Sequence, residues 1–251
     1  MTDRTDGPPG AATRWEPALE PKPAAETGAA RAPRRAGRPT EAELAQRTEA
    51  LLEAAAQVFV ETGFDNASYE LIARRANVST KTIYAWYGGK AGLFGAVVER
   101  YASRIEPRLR LILKRHCEDP ERALAKAARI ILAFEFEPEL IALHRAVIAA
   151  SGDLPDIGET FYRLGPGRGV QLLAEFFRDC HARQLLRVED PVASGEIFMA
   201  LLNRGVLNRR LVRAEIGPLT PRETKRQADT ALAVFLAAHR APRADRSITP
   251  G

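Results

Sequence analysis

Cysteine is scarce in this chain. It occurs twice in 251 residues, and Cys117 and Cys180 lie far apart, without CxxC spacing or histidines at zinc-site intervals. That excludes a disulfide framework and a structural metal site, and it makes a reducing cytoplasm the expected compartment. No segment approaches the ~20 consecutive apolar residues needed to cross a bilayer, so no membrane partner is expected. The N-terminal stretch carries Asp3, Asp6, Glu16 and Glu20 with no continuous apolar run, which argues against a secretory signal. The signatures HExxH, GxSxG and GxxxxGK[ST] are also missing. Gly165, Gly167 and Gly169 make no phosphate loop, because Pro166 interrupts the amides and no strand precedes them. They read as a helix-breaking linker. The sequence therefore predicts no catalytic residue, no metal and no cofactor, with a helical enzyme as the rival reading.

What is present is enough apolar material for a core, 45% of residues. The net charge of +5 is too modest to decide anything alone, but its placement is informative. Arg31, Arg34, Arg35 and Arg38 crowd one stretch with no acid among them. Residues 1–39 are rich in Pro, Gly, Ala and Arg and poor in large apolar side chains, the composition of a disordered basic arm. Residues 241–251 read as a disordered tail.

Helical periodicity begins at Thr40, an N-cap candidate followed by Glu41 and Glu43. Leu44, Leu51, Leu52, Ala55, Val58 and Phe59 then recur at helical spacing up to Gly63, which suits a left-handed stop before a Phe64-Asp65-Asn66 turn. Ser68 caps a short helix through Ala76, Asn77-Val78 makes a tight turn, and Ser79 caps a third helix over 80–87, broken by Gly88-Gly89. Lys90 opens a fourth. Prolines punctuate the remainder into helices over 108–116, 120–134, 138–151, 168–183, 191–208 and 221–239. The expected fold is all-α, with a three-helix helix-turn-helix domain over 40–89 joined to a C-terminal helical bundle over 90–240.

On the third helix Thr80, Lys81 and Tyr84 share one side, while Ile83 and Tyr87 face a small core with Phe59 and Ile72. The residues Gly63-Phe64, Ile72-Ala73-Arg74-Arg75-Ala76, Val78-Ser79, Thr82-Ile83-Tyr84, Lys90 and Leu93-Phe94, in this order and spacing, closely resemble the DNA-binding domain of TetR-family regulators. The departures are mild: Asn77 replaces the usual glycine, Trp86-Tyr87 a Tyr-Phe or His-Phe pair, and Gly89 a frequent serine. The resemblance implies a double-stranded DNA operator as partner. Thr80 and Lys81 would reach base edges, and Thr82, Tyr84, Trp86 and Lys90 would hold phosphates. Ser68 and Ser79 are caps first, with phosphate contact by the adjacent backbone in addition. For Tyr84 and Trp86 the alternative is core packing, and for Lys81 a solvated charge. Arg34, Arg35 and Arg38 would enter the minor groove from the arm, the alternative being a solvated tail.

By the same resemblance the last two long helices, 191–208 and 221–239, form a homodimer interface. Ile197, Phe198, Leu201, Leu202, Val206, Leu232, Val234, Phe235 and Leu236 supply its apolar surface. An unknown small-molecule inducer would bind between the central helices, with Phe134, Phe136, His144, Phe161, Tyr162, Phe176 and Met199 as candidate contacts and ordinary core as the alternative for each. His144-Arg145 could bind an acid, though a helix ion pair accounts equally for Arg145. An architectural DNA binder without ligand control is a further alternative.

Overall fold

The spacing of Thr40 and Glu43 produces a reciprocal cap: Thr40 Oγ1 accepts from the Glu43 amide, and the Glu43 carboxylate accepts from the Thr40 amide. From it α1 runs over Glu41–Asn66. The computed structural model describes residues 40–213 and 216–240. Along them follow α2 (Tyr69–Ala76), α3 (Thr80–Tyr87), α4 (Lys90–Arg115), α5 (Pro120–Glu135), α6 (Pro138–Ser151) and α7 (Pro155–Leu164). The chain continues through α8 (Pro166–Ala182), α9 (Pro191–Asn203), α10 (Val206–Val212) and α11 (Pro221–His239). Among the described residues the extended pairing is one isolated bridge, Leu186 with Arg240, so the fold is all-α as expected. No helix among them is long and apolar enough to cross a membrane. The arm with Arg34, Arg35 and Arg38, and the tail over 241–251, lie outside the described residues.

Several boundaries differ from the sequence expectation. Gly63 takes a positive φ of 77°, but with ψ 165° it only kinks α1, and Phe64 to Asn66 form a last turn rather than a loop. The helix expected over 108–116 is the second half of α4, which passes through Pro107 unbroken. Pro107 and Ser103, whose carbonyl loses its partner, are both exposed, so water can take the vacated bond, while Ile105 and Leu109 hold the helix to one core on either side. Pro155 opens α7, which the expectation passed over. Pro166 then starts α8, so Gly167 and Gly169 lie within a helix rather than in a linker. The helix expected over 191–208 is split into α9 and α10 at Arg204 and Gly205, whose φ angles of 25° and 73° cannot continue a right-handed helix.

Two apolar clusters organise these helices. One gathers Phe59, Phe64 and Phe94, ring centroids 5.4 to 5.7 Å apart, and extends to Leu140, Leu143 and Val147 of α6. The other is built on Phe177, Phe198 and Phe235 from α8, α9 and α11, with centroids 4.9 to 6.3 Å apart. Each fully buried phenylalanine contributes roughly 1.5–3 kcal/mol. α4 belongs to both clusters, and Arg100 on it ties Glu49 and Glu53 of α1 while Arg104 pairs with Glu137 at 3.0 Å.

Candidate DNA interface and ligand cavity

The helix-turn-helix is fixed by its caps. Ser68 Oγ accepts from the Leu71 amide at 3.1 Å to start α2, and Asn77 ends it in the left-handed conformation, φ 54° and ψ 45°. Ser79 Oγ accepts from the Thr82 amide at 3.1 Å and shares a second bond, 2.8 Å, with the Thr82 hydroxyl. Ile72 and Ile83 are fully buried, which turns the opposite side of α3 outward. Lys81 is exposed there and Thr80 half-exposed. Tyr84 is 52% exposed, and its ring rests on Tyr69 with centroids 4.5 Å apart. Trp86 is half-buried against the first cluster, beside Tyr87. Lys90 is also partly committed: its Nζ donates to the carbonyls of Phe64 at 3.1 Å and Asp65 at 3.0 Å, and lies over the Phe64 ring. A lysine has three donors, so one is left.

Farther along, α4 to α9 enclose a cavity of about 90 Å³, walled by Ile105, Ile131, Phe134, Leu143, Phe161 and Leu172 among others. It shares Glu135, His144, Pro166 and Met199 with a neighbouring cavity of about 300 Å³, whose walls add Tyr162 and Asn203. Burial pushes the Glu135 carboxyl up to about 7, against a smaller opposing effect of a hydrogen bond with Asn203. Burial also pushes His144 down, opposed by its bond to the Leu140 carbonyl. The His144 ring meets Phe161 edge-on at 4.6 Å. On the wall, Arg168 is bound to Glu106 at 2.8 Å.

Residues 51–97 match the family of bacterial regulatory proteins, tetR family, and residues 122–241 match the AefR-like transcriptional repressor C-terminal domain. The chain belongs to the TetR family. Among its relatives, the HTH-type transcriptional repressor NicS of Pseudomonas putida KT2440 is 36% identical over 107 residues, 41% of this chain. The match spans about half, 49%, of the length of that curated relative. A solved TetR-family regulator from Mesorhizobium loti MAFF303099 is 28% identical with a TM-score of 0.68, covering 78% of this chain and 98% of its own. The flavonoid-responsive regulator FrrA is 26% identical with a TM-score of 0.64, covering 80% of this chain and 100% of its own.

Within this TetR-family chain, Phe134, His144, Phe161 and Met199 line the first cavity and Tyr162 the second. Phe136 and Phe176 do not. Phe136 is buried beneath the Arg210 guanidinium, 5.2 Å away, and Phe176 packs on Phe177 in the core. The Arg145 guanidinium donates to the carbonyls of Arg210 and Leu211 at the end of α10, and no ion pair to it is formed among the described residues. Of the apolar residues assigned to a dimer face, Phe198, Leu202, Val206, Leu232, Phe235 and Leu236 are spent inside the protomer. Ile197 and Val234 remain outward, 49% and 50% exposed.

Sequence reasoning missed Tyr69, Glu135 and Asn203. Glu135 could have been found, since it follows Ile131 by four residues and so occupies a core-facing position of α5. Tyr69, directly after its cap, gave no such signal, and Asn203 depends on where α9 breaks.

Proposed function

We propose that this chain is a sequence-specific DNA-binding repressor, acting in the cytoplasm as a homodimer and released from its operator by a small molecule in the cavity. The DNA-binding domain over 40–89 would place Thr80 and Lys81 on base edges and Thr82, Tyr84, Trp86 and the remaining donor of Lys90 on phosphates. Ser68 and Ser79 would act mainly through the helix ends they cap, with Arg34, Arg35 and Arg38 reaching the minor groove. Two such helices must enter successive major grooves, ~34–36 Å apart, so a dimer through the outer faces of α9 and α11 sets the spacing.

The observation that carries this reading is the shared use of α4 and α6. Val98, Tyr101, Leu140 and Leu143 belong to the apolar cluster of the helix-turn-helix and also line the cavity. A molecule filling that space acts on side chains packed against α1, and differential binding to two arrangements of the dimer would change operator affinity by up to that difference. The test is titration of the full chain on DNA upstream of its own gene, with and without candidate metabolites. A sequence-specific shift reversed by a ligand is expected. No specific shift overturns the repressor reading, and a shift indifferent to every ligand overturns the sensing part of it.

A further inference from the structure

Where the two cavities meet, hydrogen-bond acceptors outnumber the donors, although the Asn203 side chain bonds the Glu135 carboxyl. The contact between these two side chains still leaves Glu135 Oε2 and Asn203 Oδ1 sealed from solvent with no partner among the described residues. His144 adds a third acceptor. Its Nδ1–H donates to the Leu140 carbonyl at 3.0 Å, and in the neutral ring this leaves the lone pair on Nε2. Glu135 and His144 line both cavities, and Asn203 lines the larger. Once Glu135 is ionised, above about pH 7, these buried acceptors are unfavourable unless something donates to them, so their convergence marks the position of a donor from outside the chain. Water can fill that role in the free protein. A ligand that displaces it must reproduce its bonds.

The remaining walls define the rest of the molecule. Phe134, Phe161, Leu143 and Leu172 offer apolar and aromatic surface, which fits an aromatic body. Arg168, the cation on the wall, is already bound to Glu106 at 2.8 Å and lies 3.9 Å from Glu99. An anionic ligand would therefore find no uncommitted cation among the described wall residues and would face Glu135.

On the reading that this cavity is the sensing site, we infer that its ligand is an aromatic molecule whose head group donates hydrogen bonds, a phenol or an amine, and not a carboxylic acid. The head group lies among Glu135, His144 and Asn203, and the rings lie along Phe134 and Phe161.

Calorimetry on the full chain at about pH 8, where Glu135 is an acceptor, tests this with four matched two-ring probes: 4-phenylphenol, 4-phenylbenzylamine, 4-methoxybiphenyl and biphenyl-4-carboxylate. At least one of the first two should bind about tenfold or more tightly than the ether, with the carboxylate weakest. Whichever donor binds more tightly distinguishes phenol from amine. Glu135→Leu removes a buried carboxyl that is only partly hydrogen-bonded and is expected to fold, and His144→Phe keeps the ring volume. In both, the preference for donor over ether should fall to within about threefold. The inference is overturned if the ether or the carboxylate binds as tightly as the better of the two donors, if the preference survives both substitutions, or if none of the four binds. Operator release by the same probes separates the two readings. A carboxylate that enters this cavity and frees the DNA overturns the inference and upholds sensing. Donor-selective binding that leaves the DNA bound upholds the inference and overturns sensing.

Discussion

Gly92, in the first turn of α4, lies against the carbonyl of Tyr87 at the end of α3, so closely that a side-chain carbon at 92 would fall 2.0 Å from that oxygen. The obstacle is backbone, so relief requires α3 and α4 to separate. Gly92→Ala is expected to destabilise the protein by about 1–3 kcal/mol. For a chain of this size that lowers Tm by about 2–4 °C per kcal/mol, measured by thermal melting. Operator affinity should fall too, because the recognition helix is displaced. Gly169 in α8, with nothing within 4 Å of an added Cβ, is the control: Gly169→Ala should hold or raise Tm.

Asn77 adopts φ 54° and ψ 45° between α2 and α3. Left-handed backbone favours glycine, tolerates asparagine and disfavours residues with an ordinary Cβ by about 1–2 kcal/mol. Asn77→Gly should therefore match or exceed the parent in chemical denaturation, and Asn77→Ala should lose about 1 kcal/mol. Equal stability of the two variants would mean the turn does not constrain the fold.

The caps at Thr40, Ser68 and Ser79 and the turn at Asn77 were legible because each is a local event, settled by one side chain and the backbone within three residues. The boundaries that were misjudged depend on distant partners. α4 passes Pro107 because the cluster holds Ile105 and Leu109, and α10 ends where Arg145, from another helix, takes the carbonyls of Arg210 and Leu211. The same contrast runs through the site. Lys81 and Tyr84 follow from helical phase on α3, whereas the pairing of Glu135 with Asn203 needs α5 and α9 brought together, which no spacing reveals. Phe136 and Phe176 do not line these two cavities, because aromatic identity does not say which face of a helix meets them.

The Glu135 carboxyl, pushed up to about 7 from an ordinary 4.5, makes stability depend on pH. Between those values the folded chain holds a proton that the unfolded chain has lost, so this contribution is full below the lower value and is lost as pH rises through the higher one. His144, pushed down by burial, acts in the opposite sense as pH falls below its ordinary range. Comparing Glu135→Leu with the parent isolates the carboxyl. The variant should melt higher than the parent at about pH 8, with the gap narrowing towards about pH 5. Parallel Tm profiles would show that Glu135 is not held protonated.

Ile197 on α9 and Val234 on α11 are half-exposed although both neighbour fully buried phenylalanines, Phe198 and Phe235. If these outward residues meet a second subunit, a charge at either position is unfavourable in the dimer and nearly neutral in the protomer core. Ile197→Glu and Val234→Glu should shift the chain towards monomer in light scattering while helicity is retained, and operator binding should weaken with the loss of the second recognition helix. An unchanged mass in both variants would move the interface elsewhere.

Lys81 and Lys90 separate contact from scaffolding. Lys81 is exposed on the outer side of α3, whereas Lys90 donates to the Phe64 and Asp65 carbonyls and so ties the start of α4 to the end of α1. Lys81→Ala should leave Tm unchanged and reduce affinity for the operator by about 1–3 kcal/mol, with a smaller loss on unrelated DNA, as expected of a base-edge contact. Lys90→Gln should lower Tm as well as affinity, because the carbonyls it serves lose a charged donor, and its affinity loss should be similar on any sequence. Should Lys81→Ala weaken operator and unrelated DNA equally, while reducing the salt slope by about one, Lys81 would be a phosphate contact, and base reading would fall to Thr80 and the rest of the exposed face of α3.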